Sequence, residues 1–295
     1  MVLKVSSDKR RSVVKSLLGR VQLMRATAAA LVSTAALLIP ALPPSALVSS
    51  TDPYISNSLG YDVSYPQCTN KTSYASGEFA IIGISDGRPF TTNPCVKTLW
   101  NNALSAKATS ISFYINTGNS GAYAKDITSD CATAVPVSYT TRQAKQSWEI
   151  GCSEAEYSIK SVANIGLSPY ENLAPGTTGN GMWWADVETG NSWSANTNLN
   201  RDTIQGLMFE LANLQLPTAI QETGLPVGIY SNVNFWDSIT GGGGSGSSWM
   251  DGSNADWYAG STCNNFDGNP AWVVQYVLST ATGMPSPIGD SDTAC

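Results

Sequence analysis

Gly181-Met182-Trp183-Trp184-Ala185-Asp186-Val187-Glu188 reads as a strand that is apolar for most of its length and acidic at its end. Side chains alternate along a strand, so Asp186 and Glu188, two apart, point to the same face. A polar loop, Thr189-Gly190-Asn191-Ser192, begins directly after Glu188. Similar short strands precede it: Gly60–Ser64, ending at Asp62-Val63-Ser64, the unbroken apolar run Phe79–Ile84, and Ser110–Asn116. An unbroken apolar run is expected of a strand covered on both faces. Further strands follow at Pro226–Ser231, near Asp256–Ala259, at Trp272–Val277 and at the C-terminus.

Helical spacing appears between these strands. Trp148, Cys152, Ala155, Ile159 and Val162 recur every three or four residues. A second helix starts near Leu199, with Asn198 or Asn200 as N-cap and Ile204, Leu207, Met208, Leu211 and Leu214 on its inner face. Strands alternating with helices imply α/β architecture with a parallel sheet, and the strand count approaches eight. The expected fold is a TIM-like (β/α) barrel with few helices in its last third. In such barrels the C-terminal strand ends carry the active site. Asp62, at the end of the first strand, comes to the same mouth as Asp186 and Glu188. The Gly/Ser-rich stretch Gly241–Ser248 is short and reads as a loop, and no linker divides the chain.

Residues 1–50 differ in kind. Lys4, Lys9, Arg10, Arg11, Lys15, Arg20 and Arg25 precede an apolar run from Ala26 to Leu42, and small residues follow Pro43-Pro44. These are the parts of a signal peptide, with a mature chain beginning between about residues 45 and 52. The apolar run falls short of the ~20 residues of a membrane anchor. Arg10-Arg11-Ser12-Val13-Val14-Lys15 has the look of a twin-arginine signal, so the export route stays open. Residues 51–295 then form one domain, close to the ~250 residues of such a barrel. Without the leader, 9 basic residues face 21 acidic ones, a net charge of −12. A surface so acidic repels nucleic acid and anionic membranes. No stable membrane span is expected after cleavage, and a monomer is expected.

The chain has no histidine, and none of its six cysteines sits in a C-x-x-C pair. His-based triads and the usual zinc sites are thereby excluded. No metal and no cofactor are called for. An even cysteine count behind a signal peptide reads as three disulfides. Six cysteines allow fifteen pairings; joining neighbours gives Cys68–Cys95, Cys131–Cys152 and Cys263–Cys295. Carboxylates remain as the acid–base candidates, and crowding raises the pKa of one of them toward that of a general acid. Glycoside hydrolysis needs that acid and a second carboxylate. A calcium site at Asp62, Asp186 and Glu188 would need more oxygen ligands than the sequence names.

The chain resembles glycoside hydrolase family 25, the bacterial and phage lysozymes, through short motifs in the family's order. They are Gly60-Tyr61-Asp62-Val63-Ser64 with Gln67, Trp184-Ala185-Asp186-Val187-Glu188, Gly228-Ile229-Tyr230-Ser231, Asp256-Trp257-Tyr258-Ala259 and Gln275-Tyr276. The resemblance implies Glu188 as the acid. It makes Asp186 the partner carboxylate that positions an acetamido group or water, and Asp62 a supporting carboxylate at the floor. It implies a secreted or cell-wall-associated enzyme acting on peptidoglycan, with a wall-binding protein that has lost turnover as the rival. An acidic residue of the last strand faces the site in the family, which here is Asp290 or Asp292. Tyr61, Tyr114, Trp184, Tyr230, Trp257, Tyr258, Gln275 and Asp292 form the expected sugar-binding set. Aromatic rings pack on the apolar faces of sugars, so the Tyr and Trp residues beside the motifs fit such a ligand, and Trp193 and Trp249 in polar loops fit it best. Asn70-Lys71-Thr72 matches a glycosylation sequon.

Overall fold

A computed structural model describes residues 52–69, 76–169, 181–213, 226–243, 253–276 and 289–295. Residues 1–50, read above as a leader, lie outside the described residues, as do the sequon, Leu214, Gly244–Ser248, Trp249 and Val277. The eight strands are β1 (Leu59–Val63), β2 (Phe79–Gly83), β3 (Ile111–Asn116), β4 (Trp183–Asp186), β5 (Val227–Ser231), β6 (Ala255–Ala259), β7 (Ala271–Tyr276) and β8 (Asp290–Ala294). They close in sequence order into a barrel. The helices are α1 (Val96–Ser105), α2 (Ser129–Ala134), α3 (Arg142–Ala163), α4 (Thr197–Ala212) and α5 (Val233–Thr240). Among the described residues no helix follows α5, so the last third is short of helices as expected.

One strand departs from the parallel sheet. β1 to β7 run parallel, but β8 is antiparallel to both β7 and β1. A parallel neighbour needs a crossover of a dozen or more residues, usually through a helix, whereas an antiparallel one does not. The reversal matters for the site. It brings the start of β8 to the level where the other strands end, with Asp290 opposite Asp62 and Asp292 opposite both Gly60 and Gln275.

Alternation sorts the side chains into two cores. Phe79, Ile81, Met182, Trp184, Trp257 and Val273 fill the barrel. Val63, Ile82, Phe113, Trp183, Ala185 and Val187 face outward to meet α1, α3, α4 and α5. A buried indole removes about 150–250 Å² from water, on the order of 4–6 kcal/mol before entropy is counted. Its N–H must still be satisfied. The Trp184 indole donates to the Tyr54 hydroxyl (2.8 Å), which bonds Ser112 Oγ (2.6 Å), so the inner core is sealed by a satisfied polar chain.

The helix faces read from spacing are buried in α3 and, through Leu211, in α4. The cap of α4 is Asn196, whose side chain accepts from Asn198 N (3.1 Å), rather than Asn198 or Asn200. Asn200 is instead buried, donating to Ser194 O (2.9 Å) and Ile239 O (2.8 Å). α3 and α4 approach backbone to backbone. A Cβ on Gly151 would lie 1.8 Å from Thr203 O, and one on Gly206 2.0 Å from Trp148 O. The three neighbour-to-neighbour disulfides are present, with Cα–Cα distances of 5.5, 5.7 and 5.8 Å. Cys263–Cys295 ties the end of the chain to the loop after β6. Among the described residues, no helix is long and apolar enough to cross a membrane.

Candidate active site

Every strand except β2 sends a side chain into one cleft at the barrel mouth, about 380 Å³ in volume. Asp62 comes from β1, Tyr114 and Asn116 from β3, Asp186 from β4 with Glu188 just beyond it, Tyr230 from β5, Trp257 from β6, Gln275 from β7 and Asp290 from β8. Alternation explains the selection. Residues two apart share a face, so Tyr114 with Asn116 and Asp186 with Glu188 enter as pairs.

Asp186 is buried and held by a relay. Ser85 donates to the Asn116 oxygen, and the Asn116 amide donates to Asp186 Oδ2. Its Oδ1 is buried with no partner among the described residues. Burial, then the negative charges of Glu188 and Asp62, push the Asp186 carboxyl well above the ordinary range, against the Asn116 bond. Glu188 is half-buried, and burial raises its pKa. The Trp193 indole fixes its backbone by donating to Glu188 O (2.8 Å).

A second relay serves Asp62. The Tyr230 hydroxyl donates to Gln275 Oε1 (2.7 Å), and Gln275 Nε2 donates to Asp62 Oδ2 (2.8 Å). Burial and then the charge of Asp290 push Asp62 up to about 7, while bonds with Gln275 and Asp292 oppose the rise. Asp292 lies beneath, fully buried, where its Oδ1 accepts from the Trp257 indole (2.9 Å). With Asp290, itself raised by burial, Asp62, Asp186 and Glu188 make four carboxyl groups in one cleft, and burial raises all four. Protons stay in it at pH values where exposed carboxyls have lost theirs.

The expected residues separate by face and depth. Glu188, Asp186, Asp62, Tyr114, Tyr230, Trp257 and Gln275 line the cleft together. Trp184 is in the inner core and fully buried, and Asp292 sits below the cleft under Asp62. Tyr61 is not brought to the cleft, because it is one residue out of phase with Asp62 and packs in the outer core. Tyr258 is likewise out of phase with Trp257 and does not line it. Asp290, left open against Asp292, is the residue of β8 that reaches the cleft. Asn116 and Ser85 were not expected. The two-residue spacing from Tyr114 to Asn116 is the signal for Asn116; Ser85 lies in a loop and has none.

Among the described residues, one group has the spacing to hold a metal ion, and it lies away from these carboxyls. Cys131, Cys152 and Glu210 cluster at ligand distance, but the two sulfurs are bonded to each other.

The fold and the site thus define an eight-stranded barrel with paired acids and aromatic walls at one mouth. No family model matches the sequence, and no curated protein matches it. Among solved structures, the chain is similar to a muramidase from Acremonium alcalophilum at 15% identity and a TM-score of 0.48, over 81% of this chain and 93% of that one. It is similar to a bacterial lysozyme from Streptomyces coelicolor at 17% identity and a TM-score of 0.46, over 82% and 93%. A family GH25 lysozyme from Aspergillus fumigatus follows at 14% identity and a TM-score of 0.46, over 81% and 94%.

Proposed function

We propose that this chain is a secreted glycoside hydrolase of the family 25 type, cutting a cell-wall glycan that contains N-acetylmuramic acid. One observation carries the reading. Asp186 and Glu188 enter one aromatic-walled cleft from a single strand end, and both are held above the ordinary carboxylate range. That is the requirement of glycosidic cleavage, a proton donor and a second carboxyl beside it.

Glu188 is the donor, because it is the more accessible of the two and keeps a proton by burial. It protonates the oxygen that leaves with one sugar as the glycosidic bond breaks. Its carboxylate then takes a proton from the water that completes hydrolysis, which restores the acid. Asp186, fixed through Oδ2 by Asn116, offers Oδ1 to the acetamido group or to the incoming water. Asp62 supports from the floor, and its charge follows that of Asp290. Tyr114, Tyr230 and Trp257 supply apolar faces for the ring. Three disulfides fit an oxidising destination and therefore export.

The deciding experiment is incubation of the purified mature protein with peptidoglycan and analysis of released muropeptides. New reducing ends at muramic acid are expected. A protein that binds peptidoglycan but releases nothing would replace this reading with that of a non-catalytic wall-binding barrel.

A further inference from the structure

Beyond the cleft, a second cavity of about 470 Å³ opens between the loops after β3 and β4 and the first turns of α3 and α4. Asn119, Gln143, Gln146, Ser147, Trp193 and Ser194 line it, and no charged residue is among its described lining. In a mature chain of net charge −12, an uncharged polar cavity of this size stands out. Amides and hydroxyls around one indole are the chemistry that recognises a neutral sugar: the indole packs on a C–H face and the amides meet hydroxyl or acetamido groups.

Hydrogen bonds hold the walls of the cavity, and one of them reaches the backbone of Glu188. Asn119 spends its amide hydrogens on Ser147 Oγ (3.1 Å) and Leu199 O (2.9 Å), and its backbone N–H donates to Ser192 O (2.7 Å). Its side-chain oxygen accepts no bond among the described residues, which leaves it for a ligand. Asn200 Oδ1 accepts from Ser194 N (2.9 Å) and its amide donates to Ser194 O (2.9 Å), which pins the opposite wall. Trp193 joins the two sites, since its ring lines the cavity while its N–H holds the Glu188 carbonyl. The larger cleft of about 660 Å³, beside Phe90, Lys97 and Lys160, lacks this character: charged residues line it, and its Glu156 is already paired with Lys160.

We propose that this cavity is a second sugar subsite that binds a neutral N-acetylhexosamine of the same strand the cleft cuts. The inference rests on reading the cleft as a glycan site. Its test is kept separate by using a variant that need not turn over. Titrating the Glu188→Gln protein with chitotetraose, the neutral tetramer of N-acetylglucosamine, and following the Trp193 indole and the Gln143 and Gln146 side-chain amides by NMR reads the site directly. Saturable shifts at all three are expected. Gln143→Ala combined with Gln146→Ala, both at the solvent-facing start of α3, should weaken affinity about 5- to 20-fold for one or two lost hydrogen bonds. Shifts confined to Tyr114 and Trp257, unchanged affinity in the double variant, or no shift anywhere would each overturn the subsite. If turnover of peptidoglycan fails while these shifts appear, the catalytic reading falls and the sugar site stands.

Discussion

At the scale of single residues, the cleft depends on which carboxyl keeps its proton. Glu188→Gln preserves size but cannot donate a proton. A general acid contributes ~10²–10⁴-fold, so turnover of peptidoglycan should fall by that range while the melting temperature stays near that of the parent. A folded variant with unchanged turnover would exclude Glu188 as donor. Asp62 gives a second test, one of coupling. The negative charge of Asp290 helps hold its pKa at about 7, so Asp290→Asn should lower that pKa. A kcat/KM profile that inflects near neutrality in the parent should inflect at lower pH in the variant. An inflection that stays in place would show that burial alone sets it. The acids were legible because period-two alternation is strict: Asp186 and Glu188 have to share a face. The same rule removes Tyr61 and Tyr258, each beside a cleft residue in its motif and one position out of phase with it. Asn116 was open to that rule through Tyr114. Ser85 was not, because a loop has no period.

At the scale of elements, composition conveys what a strand buries but not which way it runs. The apolar run Phe79–Ile84 announces a strand covered on both faces, and β2 is buried along its whole length. Nothing in Asp290–Ala294 states that β8 is antiparallel, since alternation reads the same in either direction. That reversal decides that Asp290 reaches the cleft while Asp292 lies beneath it. Helix packing hides a similar device. The apolar stripes of α3 and α4 were legible, but the glycines that let their backbones touch carry no periodic signal. Gly206→Ala would place a methyl 2.0 Å from a backbone carbonyl, which cannot rotate away. Overpacking of this kind costs about 1–3 kcal/mol or more, so the variant's urea midpoint should fall clearly below the parent's. An unchanged midpoint would mean that the helices slide apart freely, and that the close approach does not hold the outer layer in place.

At the scale of the whole molecule, the raised carboxyls make stability depend on pH with one sign. Burial pushes Asp186, Asp292 and Glu154 well above the ordinary range, and Asp62 to about 7. Asp256, on β6 and one position out of phase with Trp257, goes to about 9 through burial and the charge of Asp267. Unfolded Asp and Glu lose their protons near ~4. Each of these groups therefore holds a proton in the folded chain that it has lost in the unfolded one. The stability it contributes is fully present below about pH 4 and drains away as pH rises, by about 7 for Asp62 and about 9 for Asp256, at ~1.4 kcal/mol per pH unit for each proton so held. Melting temperature should thus be higher at pH 5 than at pH 9. Glu156, lowered by Lys160, acts in the opposite sense, but it is one group against several. Asp256→Asn isolates one contribution. Its side-chain oxygen can accept from Phe266 N as Asp256 Oδ2 does at 2.9 Å, and its amide can face Asp267, so a neutral form is kept at every pH. The variant should melt like the parent at pH 5 and lose fewer degrees by pH 9, as read by calorimetry across that range. A parallel decline in both proteins would show that Asp256 gives up its proton without cost, and that the acid pair does not set the alkaline limit of the fold.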